Sequence, residues 1–360
     1  MKSQFPSEFE PLVSVVITSY NYGCYISYSI QSVLGQTYGN IEIIVVDDGS
    51  TDESRDVISG FGERVISLYR DHQGQCAAIN AGFEAAKGDI IIFLDADDCL
   101  ISDAVDRFVD AFRNNRSISK SQGYMIGVDA NGRRLGRKIP HLLSPSGNYK
   151  NAVLNKGPWM CFQSWTSGNA WARWFIEQVF PLPEDPDNKV FPDGCLNPLA
   201  VLYGPIVTLE EPVTLYRIHD RNNGPIGTEF TVPSLSMVLT RNRNNFRFAA
   251  QRAQRIGIDL PLEYWLKWKM SWKRNLMAYA ISLMDPSQKP PRFHEVVLAP
   301  LVTRKPGIFK ATRTSLALVV IWFMPRKYAL RATAYLLGIP YTGDPDIPAG
   351  PKAGEHAREQ

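Results

Sequence analysis

Short apolar runs that end in polar turns recur along the first hundred residues. Aliphatic and β-branched residues dominate Val13–Ile17, Ile41–Val46, Val65–Tyr69 and Ile90–Leu94. Such runs between turn residues predict four strands, the first two of them buried. Segments with helical spacing of apolar positions lie between them, so strand, turn and helix alternate. This alternation predicts an α/β fold with a doubly wound, mostly parallel, Rossmann-like sheet.

The pattern is less regular between about residues 120 and 230. Gly147–Pro158 predicts a loop-rich stretch, Leu196–Tyr203 a helix, and Ile206–Leu209 and Pro212–Ile218 two strands. Beyond residue 230 the apolar positions return to helical spacing, with many basic residues among them. The tail from Pro340, rich in Pro, Gly and charge, predicts disorder.

Charge is distributed unevenly along the chain. Residues 1–240 contain 19 Lys/Arg and 28 Asp/Glu, whereas residues 241–330 contain 17 and 4, although the whole chain carries a net charge of only +3. Within this basic region, Trp265, Trp268 and Trp272 recur at helical spacing. Such a stripe is typical of an interfacial membrane helix or of packed core, and both interpretations stay open. The apolar content of 44% is that of a globular protein with a sizeable core.

Leu316–Met324, followed by Pro325, Arg326 and Lys327, is the better candidate for contact with anionic lipid. It is too short to span a bilayer, and the polar first ten residues lack the apolar segment of a secretory signal. The five scattered cysteines are typical of reduced thiols. We therefore expect a cytoplasmic protein, peripheral on the inner face of the membrane. Nucleic-acid binding would also explain the charge, but no recognised nucleic-acid fold accompanies it.

Polar clusters follow three of the predicted strands: Thr18-Ser19-Tyr20-Asn21, Asp47-Asp48-Gly49-Ser50 and Asp95-Ala96-Asp97-Asp98. In parallel α/β sheets, ligands bind beyond the carboxyl ends of the strands. Five carboxylates at one edge repel one another unless cations or hydrogen-bond donors compensate them. Mg²⁺ or Mn²⁺, held by carboxylates and phosphate oxygens, meets that need. Taken alone, Asp95-Ala96-Asp97 is equally compatible with a solvated turn whose acids cap a helix. Asp47-Asp48-Gly49-Ser50 alone is typical of a turn, after which Ser50 or Thr51 caps the next helix.

Three motifs occur in order: V-S-V-V-I-T-S-Y-N-Y, then I-E-I-I-V-V-D-D-G-S-T-D, then F-L-D-A-D-D. Together they resemble the family 2 inverting glycosyltransferases of the GT-A fold, over about residues 11–110 and more loosely to about 225. The resemblance implies an inverting hexosyltransferase. Such an enzyme moves a sugar from a nucleotide diphosphate sugar to a glycan or lipid-linked acceptor, with the help of Mg²⁺ or Mn²⁺.

The resemblance also implies roles for single residues at the donor site. Thr18 and Tyr20 would line the pocket for the nucleobase, and Asp48 would accept a hydrogen bond from the base. Asp95 would face the ribose or the metal, and Asp97, the last residue of the D-x-D, would ligate the metal.

Two further donor-side residues are predicted with an alternative each. Arg70, after the third strand, would contact the base or a phosphate, or else form a salt bridge. The segment from Tyr216 to Asn223 resembles a Y-R-x-H-x-x-N turn of the family, which would bring His219 to the diphosphate or the metal. A structural histidine is the alternative.

Inversion by direct displacement needs a base close to the acceptor hydroxyl. The family usually supplies an aspartate from the second half, often within an acidic pair. Here Phe191-Pro192-Asp193-Gly194 lacks the acidic neighbour, but an apolar helix follows, so the resemblance implies that Asp193 is the base. The alternative is that Asp193 only caps that helix. Glu184, Asp185 and Asp187 lie upstream in a Pro-rich loop and are expected to be solvated.

The segment Thr166-Ser167-Gly168-Asn169 precedes a stretch with Trp171, Trp174 and Phe175 that predicts a helix. The resemblance implies that this loop lies on the acceptor side, where Ser167, Gly168 and Asn169 would contact the acceptor. The alternative is a helix start above the core.

The resemblance suggests a division into a tail at 1–10, a GT-A domain at 11–230, a basic helical region at 231–339 and a tail at 340–360. Within the domain, residues 11–110 would bind the nucleotide sugar and 111–230 the acceptor.

Two other functions are alternatives to a transferase. A sugar-phosphate nucleotidyltransferase would need a Gly-rich basic loop after the first strand, where Thr18-Ser19-Tyr20-Asn21 stands instead. A catalytically silent module that binds a nucleotide or glycan stays open, because of the unusual Pro-Asp-Gly around Asp193.

Overall fold

The structure is a computed structural model that describes residues 10–157, 160–184, 191–219, 222, 231–260, 272–285, 287–298, 308–337 and 339. Two compact units form. The first lies within Met1–Leu154, Met160–His219 and Phe248–Asp259, and the second within the remaining ranges. The predicted boundary at residue 230 stays a prediction. The predicted tails, except Glu10, and the stripe residues Trp265 and Trp268 lie outside the described residues.

In the described residues, the first unit contains one sheet of nine strands. These are β1 Val13–Ser19, β2 Ile41–Asp48, β3 Ile66–Arg70, β4 Ile90–Asp95, β5 Cys99–Leu100, β6 Lys120–Val128, β7 Arg134–Ile139, β8 Asn169–Ala172 and β9 Ile206–Arg217. Their order is β3-β2-β1-β4-β8-β6-β9-β5, with β7 paired to β6. The four strands predicted in the first hundred residues are mutually parallel, which confirms the predicted α/β sheet.

The register of the parallel strands brings their carboxyl ends to one edge of the sheet. Thr18 on β1 is paired with Val46 on β2 and with Asp95 on β4. The other half of the sheet is mixed. Strand β8 runs antiparallel to β4 and β6, whereas β6 and β9 are parallel. The polar clusters after β1, β2 and β4 therefore lie side by side, as predicted.

The helices α1 to α4, α6 and α7 belong to the first unit, whereas α5 ends in the second unit and α8 begins in the second and ends in the first. They are α1 Gly23–Leu34, α2 Ser54–Ser59, α3 Gln75–Ala85, α4 Ala104–Asn114, α5 Lys150–Lys156, α6 Arg173–Val179, α7 Pro192–Tyr203 and α8 Val232–Gln254. The second unit adds helices at Trp272–Met284, Phe293–Val297, Ile308–Phe323 and Arg326–Leu337. The helical C-terminal region is thereby confirmed.

Three local predictions were wrong. The stretch predicted as loop contains α5, which begins where the Asn148 side chain accepts the Lys150 N–H at 3.1 Å. The two strands predicted around residue 210 are one strand, because a register shift between β6 and β9 accommodates the polar stretch in its middle. Trp171 lies on β8 and not on a helix, since it pairs with Ile91 and Lys120.

Each unit has its own apolar core. In the first unit every residue of β1 is buried, and Phe93, Phe108 and Trp171 are among the largest side chains buried completely. In the second unit the Tyr279 and Trp322 rings stack with their centroids 4.6 Å apart. Within the described parts of the chain, none of the helices combines the length and the apolar content that crossing a membrane requires.

Candidate active site

Three carboxylates converge where β4 ends. Oxygens of Asp95, Asp97 and Asp98 all lie within 4.8 Å of one another. The turn that brings them together is closed by the Asp98 N–H, which donates to the Asp95 carbonyl at 3.0 Å. Asp97 and Asp98 are 7% and 1% exposed. The apolar strand β4 thus ends in a buried acidic cluster.

Mutual repulsion and burial both act on this cluster. Burial, and then the charges of Asp97 and Asp193, raise the pKa of Asp95 to about 8, against hydrogen bonds from Gln75 and Ser167 that lower it. Burial, followed by Asp97 and Asp95, raises the pKa of Asp98 well above its ordinary value. The cluster is therefore short of positive charge.

The cluster fits a hard divalent cation. Mg²⁺ and Mn²⁺ prefer carboxylate oxygens, and three such oxygens stand close enough to share one ion. Oδ2 of Asp98 is buried and has no hydrogen-bond partner, as expected of an atom that faces a cation. Asp97, predicted as a metal ligand, and Asp95, predicted to face the ribose or the metal, both belong to the cluster. Asp98 was not predicted as a ligand.

The end of β9 is tied to the acidic cluster. His219 Nε2 lies 3.0 Å from Asp97 Oδ2, and its ring stacks on Tyr25 at 5.1 Å between centroids. The Arg217 N–H donates to Asp98 Oδ1 at 3.0 Å, and its Nε–H donates to the Asp97 carbonyl at 2.9 Å. The Y-R-x-H segment therefore reaches the cluster, while a role of His219 as metal ligand stays a prediction.

Asp48, at the end of β2, is held by the loop after β3. Its carboxylate accepts the N–H groups of Gln73 at 3.1 Å and Gly74 at 2.8 Å. His72 Nδ1 lies 2.8 Å from Oδ2, and Arg70 Nε lies 3.4 Å from Oδ1. Arg70, predicted as a base or phosphate contact, is thus close to Asp48. The contact of Asp48 with a nucleobase stays a prediction.

A stacked pair of rings lies beside Asp48. The Tyr20 and His72 rings are 3.9 Å apart between centroids and 17° from parallel. Tyr20 is 40% exposed, whereas Thr18, the other predicted pocket residue, is buried. The role of His72 was not predicted, because a single histidine two residues beyond a strand does not belong to any recognisable sequence motif.

The close approach of His72 depends on Gly49, which has a φ of +81°. A Cβ at this position would lie 2.6 Å from the backbone nitrogen of His72. We expect Gly49→Ala to lower the free energy of unfolding by about 2 kcal/mol or more, from clash and backbone strain together. Gly62→Ala is the control, since Gly62 has a φ of +57° but open space around its Cβ, so only the strain of about 1 kcal/mol remains. Urea denaturation measures both, and equal losses would contradict the predicted clash.

Asp47, the first acid of the Asp-Asp pair, has a different partner from Asp48. Asp47 Oδ2 forms an ion pair with Arg55 Nε at 2.8 Å. The predicted capping of α2 by Ser50 or Thr51 was wrong. Ser50 Oγ instead accepts the Asn21 N–H at 2.8 Å, and the Thr51 N–H donates to Asn21 Oδ1 at 2.8 Å. These residues join the loops after β1 and β2.

The three predicted acceptor residues lie in a buried segment next to the acidic cluster. Ser167 Oγ accepts the Asp95 N–H at 3.1 Å. Asn169 is 0% exposed, and its amide donates to the Ser164 carbonyl at 3.2 Å. Gly168 is buried between them. Direct contact of these residues with an acceptor stays a prediction.

Asp193 lies in the first turn of α7, directly after Pro192. It is partly buried, and Oδ1 accepts the Gly194 N–H at 2.8 Å. Burial raises the pKa of Asp193, while the Gly194 N–H and the charge of Lys120 lower it. Because its charge acts on Asp95, Asp193 is close to the acidic cluster. The role of Asp193 as base stays a prediction.

A lysine that sequence reasoning missed completes the site. Lys120, the first residue of β6, is 0% exposed. Its Nζ donates to Asn169 Oδ1 at 2.8 Å and to Asn197 Oδ1 at 2.6 Å. Its position within a strand of mixed polarity gave no signal that it would be buried.

The sequence relationships agree with this geometry. Residues 14–169 match the family model of glycosyl transferase family 2. An uncharacterized glycosyltransferase of Nostoc sp. is 38% identical over 216 residues, which are 59% of this chain and 66% of the relative. An uncharacterized glycosyltransferase of Haemophilus influenzae is 35% identical over 147 residues, 38% of this chain and 58% of the relative. The chain spans less than two thirds of the length of either relative.

A solved structure shares the fold. The mannosyltransferase of Pyrobaculum calidifontis in complex with GDP-Man and Mn²⁺ is 15% identical and superposes with a TM-score of 0.50. The alignment covers 91% of this chain and 85% of that one. The matched motifs occupy the ends of β1, β2 and β4, where the donor-side residues were predicted. Residues 14–169 of this chain therefore belong to glycosyl transferase family 2, and the fold is the GT-A fold.

Proposed function

We propose that the protein transfers a hexose, with inversion, from a nucleotide diphosphate sugar to a glycan or lipid-linked acceptor. The observation that carries this proposal is the buried cluster of Asp95, Asp97 and Asp98 at the carboxyl end of β4. Carboxylates at this edge of a parallel sheet stand where such folds bind ligands. Burial and mutual repulsion raise the pKa of Asp95 and of Asp98, and a divalent cation on a diphosphate would stabilise their ionised forms.

The proposed donor pocket lies between the ends of β1 and β3. Tyr20 and His72 offer an exposed aromatic surface on which a nucleobase can stack. Thr18 and Asp48 would provide polar contacts to the base, and Arg70, beside Asp48, would add positive charge toward the base or phosphates. The proposal is supported by the contacts of the 72–74 loop, because they hold Asp48 in one orientation.

Asp95, Asp97 and Asp98 would hold Mg²⁺ or Mn²⁺, and His219, at 3.0 Å from Asp97, would orient that carboxylate or join the ligands. The bound cation would stabilise the negative charge that develops on the departing diphosphate. Arg217 would hold two of these ligands in place, because it donates one hydrogen bond to the backbone carbonyl of Asp97 and one to the side chain of Asp98.

Asp193 would act as the base. The acceptor oxygen attacks the anomeric carbon, the bond from that carbon to the diphosphate breaks, and the hydroxyl proton passes to the Asp193 carboxylate. Asp193 is suited to this role because its carboxylate on α7 is partly exposed and its charge acts on Asp95. Ser167, Gly168 and Asn169 would shape the acceptor side.

Titration with nucleoside diphosphates tests the proposed donor site. We expect UDP or GDP to bind in the presence of Mn²⁺ with a dissociation constant that rises at least about tenfold when Mn²⁺ is replaced by EDTA. Isothermal titration calorimetry measures this. Absence of binding for every nucleoside diphosphate would contradict the proposed function, whereas binding without any turnover would favour a silent nucleotide-binding module.

We also propose that the protein meets its acceptor at the inner membrane surface. The support is an apolar face on the helix Ile308–Phe323, where Leu316, Val320 and Phe323 are 63%, 55% and 76% exposed at a spacing of one turn. The Phe293 ring lies 5.9 Å from that of Phe323. Residues 296–343 contain seven Lys/Arg and no Asp/Glu, so this part of the sequence is strongly basic. Anionic lipid complements both properties.

We expect the protein to sediment with phosphatidylglycerol liposomes at low salt. Replacing Leu316 and Phe323 together by Ser should lower the bound fraction at least about threefold, because apolar area no longer enters the interface. Leu135→Ser is the control, as Leu135 is 45% exposed on β7 of the other unit. A protein that stays in the supernatant contradicts the proposal, and a concentration-dependent dimer would assign the apolar face to a second copy instead.

A further inference from the structure

Lys120 is a buried lysine that joins the two segments on the acceptor side of the site. Its Nζ donates to Asn169, at the end of the 164–169 segment, and to Asn197, on α7. Asn197 stands one helical turn after Asp193, so this bond reaches the helix that carries the proposed base. The Trp171 ring, 4.9 Å away, covers the ammonium group.

Both asparagine amides are oriented by other bonds. The Asn169 Nδ2 group donates to the Ser164 carbonyl at 3.2 Å, and the Asn197 Nδ2 group donates to the same carbonyl at 2.9 Å. Each amide oxygen is consequently turned toward Lys120. The two amide oxygens thus form a site for a cation, which the Lys120 ammonium group occupies.

A buried charge costs free energy unless an opposite charge or polar groups compensate it. Two neutral amide oxygens leave the ammonium group with its full positive charge. The groups that act on it electrostatically are Asp193 and Cys161. The charge of Lys120 acts on Asp193, and the charge of Asp193 acts in turn on Asp95 and Cys195. Among these described groups, Lys120 is the cation whose charge acts on Asp193.

We propose that Lys120 is a positioning residue for the transfer reaction: its ammonium group fixes α7 against the 164–169 segment and keeps the Asp193 carboxylate ionised. The inference rests on the proposed role of Asp193 as base. Burial would otherwise favour the protonated form of Asp193, and a protonated Asp193 accepts no proton from the acceptor. Asn169 then has a second function, since its buried amide connects the acceptor-side segment to Lys120.

The direction of the pH effect follows from the charges. Burial lowers the pKa of Lys120 to about 7, against the charges of Cys161 and Asp193, so below that pH the ammonium form dominates. In that range its charge lowers the pKa of Asp193. Removing the charge raises the pKa of Asp193, and the acid limb of the activity profile moves to higher pH.

Two substitutions test this in the full chain. Lys120→Met removes charge and donor, whereas Lys120→Gln keeps an N–H donor for an amide oxygen. We expect both to shift the acid limb of kcat/KM upward by about one pH unit, as loss of a neighbouring opposite charge implies. Nucleoside diphosphate affinity should stay within about twofold, because the donor pocket is unchanged. Lys138→Met is the control, since Lys138 is exposed on β7 and also lies over an aromatic ring, at 5.0 Å from Tyr124.

A reciprocal measurement avoids any change at Lys120. Because the two charges stabilise each other, Asp193→Asn should lower the pKa of Lys120. A pH titration of the Lys120 Nζ group by ¹⁵N NMR measures this pKa. An unshifted titration of Lys120, or an unchanged acid limb in folded Lys120 variants, would overturn the inference. If instead Asp193→Asn transfers sugar at the full rate, the proposed base fails, and the Lys120 titration still shows whether the two charges interact.

Discussion

Asp97→Asn is expected to abolish metal-dependent sugar transfer, with a fall in turnover of about 10³-fold. The substitution removes one of three carboxylates that converge within 4.8 Å, and with it the negative charge that lies against His219. Loss of a group that stabilises charge in the transition state typically costs two to three powers of ten. Release of nucleoside diphosphate from a nucleotide sugar, followed at saturating Mn²⁺, measures the effect.

Asp110→Asn is the control for the loss of one negative charge. Asp110 is exposed on α4 and forms an ion pair with Arg113 at 2.9 Å. We expect this variant to keep wild-type turnover, since exposed ion pairs contribute little. Wild-type turnover in Asp97→Asn, or the same loss in Asp110→Asn, would contradict the assignment of the acidic cluster.

Asp193→Asn is expected to lower transfer by about 10³-fold while nucleoside diphosphate affinity stays within about threefold. The amide is nearly isosteric with the carboxylate but accepts no proton from the acceptor hydroxyl, and general base catalysis contributes two to four powers of ten. Calorimetry gives the affinity, and product formation with a cognate acceptor gives the rate.

Glu184→Gln is the matched control, because Glu184 is an exposed acid upstream of the same helix. Its expected effect on transfer is less than about twofold. Full transfer activity in Asp193→Asn would remove that residue as the base. A loss of donor affinity along with the loss of rate would instead show that Asp193 supports the metal site through its proximity to Asp95.

The parallel half of the sheet was predictable because its signals are local. The runs that became β1, β2 and β4 are mostly apolar, as strands buried on both faces require. The aspartates follow these strands directly, so their meeting at one edge is a consequence of parallel pairing. Asp95 and Asp97 were found in this way.

The missed features depend on contacts between distant segments. His72 stacks on Tyr20 because Gly49 leaves room for the loop, and nothing near His72 in the sequence records that. Lys120 is buried because Asn169 and Asn197, 49 and 77 positions away, supply its acceptors. Strand β8 was not predicted, since four residues between a 3₁₀ turn and a helix give too short a pattern.

Turnover of a panel of nucleotide sugars, with Mn²⁺ and with EDTA, tests the proposed transferase most directly. We predict that one or a few donors release their nucleoside diphosphate in the presence of Mn²⁺. This release should fall by about 10³-fold in Asp97→Asn, as removal of a charge-stabilising group implies. Turnover that persists in EDTA and in Asp97→Asn would contradict a metal-dependent site at Asp95, Asp97 and Asp98, and failure to turn over any donor would contradict the transferase itself.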